Sequence, residues 1–306
     1  KPEENGVWEG EKTVEPGIGQ VVLTLGDGES MPLKRDTNRL IFGGTMLQVR
    51  NERGTLVYSK IKSKEASEKI VYNTLTVPVR ERFQLVLADG TKVFLNSGSE
   101  MRYPERFGKA RREVFLKGEA WFEVAKDSAR EFWVHAGAMD VKVLGTSFNV
   151  KAYERLETVA TTLVEGSVEV ACAGKSFQIV PGEQFVYDKN NRVMDVRMVD
   201  TESYVSWKDG YYKFRQTTLE EIMETLSVWY GLNVFYVNES AKQVEFTGKV
   251  KRYEDARMLL DKFEQTGDVV FDIKGNNVFI TIKQKKPFAR EWNSFLVKAR
   301  GMVWQS

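Results

Sequence analysis

Residues Arg112–Lys126 read REVFLKGEAWFEVAK. Apolar and polar residues alternate on both sides of one glycine. Val114 and Leu116 precede it; Ala120, Phe122 and Val124 follow. In an extended chain successive side chains point to opposite faces, so this pattern buries one face and wets the other. Leu116-Lys117-Gly118-Glu119 is read as the turn of a hairpin.

The same grammar continues on either side. Val141-Lys142-Val143 and Phe148-Asn149-Val150 flank Gly145. Thr161 and Leu163, then Val168 and Val170, flank Glu165-Gly166. Ser176–Val180 and Gln184–Tyr187 flank Pro181-Gly182, and Asn190-Asn191 marks the next turn. Each is read as a hairpin. Gln20–Leu33 and Gln84–Leu95 also resemble each other. Leu25, Asp27, Gly28 and Leu33 align with Leu87, Asp89, Gly90 and Leu95. Each copy is a strand, an Asp-Gly turn and a return strand, either in related places of one sheet or alike by chance. From about residue 18 to 200 no helix is expected. At least ten short strands predict a β-sandwich or jelly-roll-like unit.

The pattern changes near residue 200. Tyr211–Arg215 is a short strand. Thr217 and Glu220 suit a capping box. Leu219, Ile222, Met223, Leu226, Trp229 and Tyr230 recur at helical spacing, and Gly231 suits the stop. Leu232–Val237 and Val244–Lys249 are strands. Tyr253–Thr266 is a second helix, with Ala256, Leu259, Leu260 and Phe263 on one face and Gly267 as its stop. Val269–Ile273 and Val278–Ile282 form a hairpin over Gly275-Asn276-Asn277. The order β-α-β-β-α-β-β predicts a small α+β unit with two βαβ units on one sheet. After Lys283 the chain is basic, with Phe288, Trp292, Phe295, Ala299 and Val303 spaced like one helical face. The divisions are 1–203, mainly β; 204–283, α+β and partner-binding; and 284–306, a basic amphipathic tail.

Composition narrows the chemistry. The chain has 306 residues, with 45 basic and 43 acidic side chains. That balance gives no nucleic-acid footprint. Cys172 is the single cysteine and His135 the single histidine. No disulfide framework is possible, and a zinc site of the usual nitrogen and sulfur ligands lacks its donors. His135 lies in the strand Phe132–His135 beside a turn at Gly137. Cys172 has no neighbour in sequence that would lower its pKa. Glu119 and Glu123 flank Trp121 on one side of a strand, as in a glycosidase cleft, but about 13 Å apart along the axis. The Asp-Gly pairs lack the further oxygens of a calcium loop. No phosphate-binding glycine loop follows a strand. No apolar run approaches a membrane span. The reading is a non-enzymatic chain with no cofactor and no metal. Its rival is a carbohydrate-binding or glycan-processing jelly roll using Trp121, Trp133 and Glu119.

A series of motifs carries a resemblance. Leu87-Ala88-Asp89-Gly90-Thr91-Lys92-Val93-Phe94-Leu95-Asn96 is followed by Arg102-Tyr103-Pro104 and by Val114–Val124. Val143-Leu144-Gly145-Thr146-Ser147-Phe148-Asn149-Val150, Thr162–Val168 and Pro181-Gly182-Glu183-Gln184 complete it. In this order they resemble the FecR family in its Bacteroidetes-type branch. Trp207–Ile282 is similar to the C-terminal domain of that branch, a relative of the secretin and TonB short N-terminal domain. The resemblance implies the periplasmic region of an inner-membrane anti-sigma factor. Lys1 in place of Met then implies that a cytoplasmic segment and one span precede this chain, with residues 1–17 as a lead-in from the membrane linker. The implied partners are the signalling domain of an outer-membrane TonB-dependent transporter, for iron or glycan uptake, and an extracytoplasmic-function sigma factor reached through the cytoplasmic segment. The expected partner contact is a loop of Lys249, Lys251, Arg252 and Tyr253, which joins exposed charge to an aromatic residue.

Overall fold

The computed structural model describes residues 19–34, 39–43, 47–52, 55–60, 70–252, 255–266 and 268–283. Two β-sheets pack face to face. From edge to edge the first runs β2 (Ser30–Leu33), β1 (Val21–Thr24), β6 (Tyr72–Val77), β9 (Ser99–Pro104), β10 (Arg112–Glu123), β11 (Phe132–Ala136), β12 (Met139–Val143), β15 (Val168–Cys172) and β16 (Lys175–Ile179). The second runs β3 (Arg39–Gly43), β4 (Leu47–Glu52), β5 (Thr55–Lys60), β7 (Phe83–Val86), β8 (Lys92–Leu95), β10 again, β13 (Ser147–Ala152), β14 (Thr158–Glu165), β17 (Glu183–Asp188) and β18 (Val193–Met198). Pairing is antiparallel except for β5–β7 and β10–β11.

The alternating residues meet between the sheets as expected. Val114, Ala120, Phe122, Phe132, Phe148 and Phe185 are fully buried. Phe122 and Phe148 stack with ring centres 5.2 Å apart. Burying each such ring contributes about 2–3 kcal/mol through apolar area removed from water.

The stretch quoted first is not a hairpin. Arg112–Glu123 is one strand that belongs to both sheets. Up to Lys117 it pairs with β9 and β11; from Gly118 onward it pairs with β8 and β13. Gly118 is the corner, at φ 102°. A Cβ there would sit 2.7 Å from the Ser99 Cα. Glycine is needed both for the left-handed backbone and for that close approach.

Three more expected hairpins are also sheet-to-sheet crossings. β12 and β13, β14 and β15, and β16 and β17 each lie in opposite sheets. Locally, a strand-turn-strand pattern is the same whether the return strand pairs with its neighbour or crosses the core. The Asn190-Asn191 turn does close a hairpin, β17–β18. Both Asp-Gly turns close hairpins too, β1–β2 and β7–β8, but in opposite sheets rather than one.

Among the described residues the first helix is α1 (Thr201–Val205), capped by the Asp200 carboxylate. Then follow β19 (Tyr211–Thr218), α2 (Leu219–Tyr230), β20 (Asn233–Tyr236), β21 (Glu245–Lys251), α3 (Ala256–Thr266), β22 (Val269–Lys274) and β23 (Asn277–Ile282). The expected order holds, but the strands form two sheets, β19–β21 and β20–β23–β22. The α2 cap is Thr218, whose hydroxyl accepts the Glu221 amide, one residue beyond the expected Thr217. Thr217 instead accepts the Arg215 amide. Gly231 ends α2 at φ 68°, as read. Residues 1–17, Tyr253, Gly267 and the tail 284–306 lie outside the described residues.

Candidate functional site

The site sits where the α+β unit meets the outer face of the second sheet. Period two on β10 puts Glu119, Trp121 and Glu123 on that face, as the sequence indicated. The other unit covers two of them: Glu119 is 8% exposed and Trp121 4%. Trp121 packs in the core of the α+β unit with Trp207, Phe214, Met223 and Trp229. Trp133 lies on the other sheet, its indole donating to Glu131 at 3.0 Å and the Lys142 ammonium 5.6 Å from its ring centre. Glu119 and Trp121 are thus buried at the junction and Trp133 is on the other sheet, so these three do not form the open platform that the glycan-cleft alternative needs.

A closed circuit of hydrogen bonds joins the two units. The Arg252 guanidinium donates to Asn96 Oδ1 and, at 2.9 Å, to the Trp207 carbonyl. The Asn96 amide donates to Glu119 Oε2 at 2.6 Å, and the Asn149 amide to Glu119 Oε1 at 2.9 Å. The Trp207 indole closes the circuit on Asn149 Oδ1 at 3.3 Å. Arg252 is fully buried and lies over the Trp229 ring. A buried cation and a buried carboxylate are thus linked through Asn96, and both are hydrogen-bonded, as buried charges must be.

Around the circuit, Ser97 donates to the Val228 carbonyl at 3.2 Å, and Tyr153 donates to the Ser97 carbonyl at 2.8 Å. Burial pushes the Tyr153 and Tyr212 hydroxyls well above the usual tyrosine range. Lys151–Glu224 at 3.6 Å and Arg197–Glu221 at 3.5 Å tie β13 and β18 to α2. Burial raises the Glu224 pKa; Lys151 opposes that shift. A cleft of about 280 Å³ lies between these groups.

This corrects the expected contact loop. Arg252 is inside the protein, not on a loop surface. Lys249 and Lys251 are exposed on β21, with the Lys249 ammonium 4.5 Å from the Tyr211 ring centre. Nothing local in the sequence marks the Arg252–Asn96 contact. The signal that existed was an arginine directly after a strand, ahead of a helix that buries Leu259, Leu260 and Phe263.

The other chemical candidates stay apart. His135 lies on the outer face of the first sheet, Nδ1 2.7 Å from Asp140 and Nε2 3.3 Å from Glu113. Cys172 is buried, and burial raises its thiol pKa. A raised, buried thiol is the opposite of an activated nucleophile. Among the described residues no cluster of three metal-ligating side chains occurs. Nor is any helix there long and apolar enough to cross a membrane.

A β-sandwich locked to a small α+β unit by a polar circuit has the architecture of a two-part interaction protein. The sequence model described as FecR protein matches residues 73–169, and the one described as FecR, C-terminal matches residues 211–280. The chain belongs to the FecR family of anti-sigma factors. A crystal structure of a candidate anti-sigma factor from Parabacteroides distasonis ATCC 8503, at 1.65 Å, is similar, with 27% identity and a TM-score of 0.63. The match covers 69% of this chain and 99% of that one. A second structure under the same description, at 2.50 Å, gives 27% identity and a TM-score of 0.63 over 70% and 100%. No curated protein matches the chain. Membership makes it a signalling regulator of a non-enzymatic kind, with a sigma factor as the implied partner.

Proposed function

We propose that this chain is the periplasmic sensor region of a membrane-anchored anti-sigma factor. It relays ligand occupancy of an outer-membrane TonB-dependent transporter to an extracytoplasmic-function sigma factor by protein–protein contact. One observation carries the reading: the α+β unit is two-sided. Its inner side is locked to the sandwich through Arg252. Its outer side leaves Phe235 47%, Val237 62% and Val270 40% exposed on a three-stranded sheet. Exposed apolar area on such a sheet suits docking or strand addition. A relay needs differential affinity between two states rather than catalytic groups. Lys249 and Lys251, exposed on β21, would steer an acidic partner toward this unit.

The test is calorimetric titration of the chain with the purified signalling domain of the transporter encoded beside it. Saturable 1:1 binding is expected. Phe235→Asp with Val237→Asp should abolish it, and Lys249→Glu with Lys251→Glu should weaken it. Unchanged binding by both variants would remove this unit as the contact. No binding with any variant or with the parent chain would remove the transporter as partner.

A further inference from the structure

The strand β18, VMDVRM, is an edge. Among the described residues it pairs with β17 alone, in unbroken register from Glu183↔Met198 to Asp188↔Val193. Edge strands are usually guarded by lysine, proline or a bulge. This one has none of them, and it exposes Val193 at 56%, Val196 at 36% and Met198 at 71%. Opposite Phe185 and Glu183, Val196 and Met198 face the core side. Opposite Val186 and Gln184, Asp195 and Arg197 face the outer side. Arg197 is held in place there by Gln184 at 3.1 Å and Glu221 at 3.5 Å.

We propose that a second copy of this chain pairs with β18 about a two-fold axis at Val196. An axis normal to the sheet keeps core-side residues opposite core-side residues, so it must pass through a residue and not between two. Centred on Asp195 or Arg197 it would set like charges face to face. Centred on Met194 it would leave Asp195 opposite Val193. Centred on Val196 it sets Asp195 opposite Arg197 of the second copy, twice. It also sets Met194 opposite Met198, Val193 opposite Val199, and Val196 opposite itself. Opposite-charge and apolar cross-strand pairs stabilise a ladder, and like charges oppose it. The strand is self-complementary in this register. The second sheets of two sandwiches then run on as one.

Sedimentation equilibrium of the full chain reads the state. The parent chain should shift with concentration from the monomer mass to twice that mass. Asp195→Arg and Arg197→Asp should each remain monomeric, because each places like charges opposite. An equimolar mixture of the two should recover a 1:1 dimer. Because Arg197 also touches α2, Val196→Lys supplies a break that leaves that contact intact, and it too should be monomeric. A parent chain that stays monomeric overturns the proposal. So does a dimer that survives Asp195→Arg and Val196→Lys, or a mixture that fails to pair while both variants melt like the parent.

Discussion

The Arg252 guanidinium carbon lies 3.5 Å from the centre of the Trp229 ring, fully enclosed between a sandwich and an α+β unit. Cation–π contact of this kind strengthens when desolvated. Here it also aims the guanidinium at Asn96 and the Trp207 carbonyl. Arg252→Met keeps the bulk and removes the donors, leaving Glu119 a buried carboxylate without its cation. The expected loss is about 3–5 kcal/mol, because Asn96 and the Trp207 carbonyl lose a buried charged donor and Glu119 loses the cation it reaches through Asn96. In calorimetry the single transition should split in two as the units uncouple. A double-mutant cycle with Asn96→Ala should give a coupling energy above about 1 kcal/mol. Simple additivity would show that the circuit does not act as a unit.

Gly118→Ala forces a Cβ to 2.7 Å from the Ser99 backbone at a positive φ. Both effects oppose folding, so the variant should lose about 2–4 kcal/mol in urea titration. Gly28→Ala is the control. It has a similar φ, 89°, but no atom within 4 Å of the added Cβ, and should lose only the backbone part.

Arg112 is fully buried and pairs with Asp89 at 2.8 Å, while donating to the Ala125 and Arg130 carbonyls. It anchors the second Asp-Gly turn to the sheet. Arg112→Ala should destabilise the sandwich by about 3–5 kcal/mol. Arg112→Lys should recover part of this, since lysine keeps the charge but not the planar fork. Equal losses for both variants would show that the fork, not the charge, holds the turn.

His135 gives the chain its one histidine titration. Hydrogen bonding to Asp140 raises its pKa above the ordinary 6.5, partial burial opposes the shift, and Glu113 adds to the rise. The folded state therefore holds the proton more tightly than the unfolded one. The resulting stability is fully present below about pH 6.5 and fades as pH climbs through the higher folded value. Urea midpoints measured from pH 5.5 to 8.5 should fall across that window. His135→Gln should flatten the fall. A fall of the same size in the variant would assign it to other groups.

Much of the fold was legible because period two and turn residues are local properties. Val114, Phe122 and Phe148 were assigned to the core side, and α2 ended where Gly231 permitted. What could not be read was which strand each one pairs with. Gly118, Gly145 and Gly166 look like hairpin turns in sequence, yet all three carry the chain across or between the sheets. Each makes room for a distant backbone: Ser99, Lys126 and Thr146 respectively. The junction was hidden for the same reason. Arg252 was read as a surface residue because its partners Asn96 and Trp207 are remote in sequence. Trp121 was legible as an aromatic between two carboxylates, but not as part of the other unit's core.

One strand, β10, is woven into both layers of the sandwich. Neither layer can peel away while that strand keeps its ladders. A pull applied through the α+β unit reaches β10 through Glu119 and Trp121, and from Gly118 it divides into both layers at once. Such a body transmits displacement as a block rather than yielding layer by layer. Whatever load reaches the sandwich, it is carried by one stiff piece, because the two layers share β10.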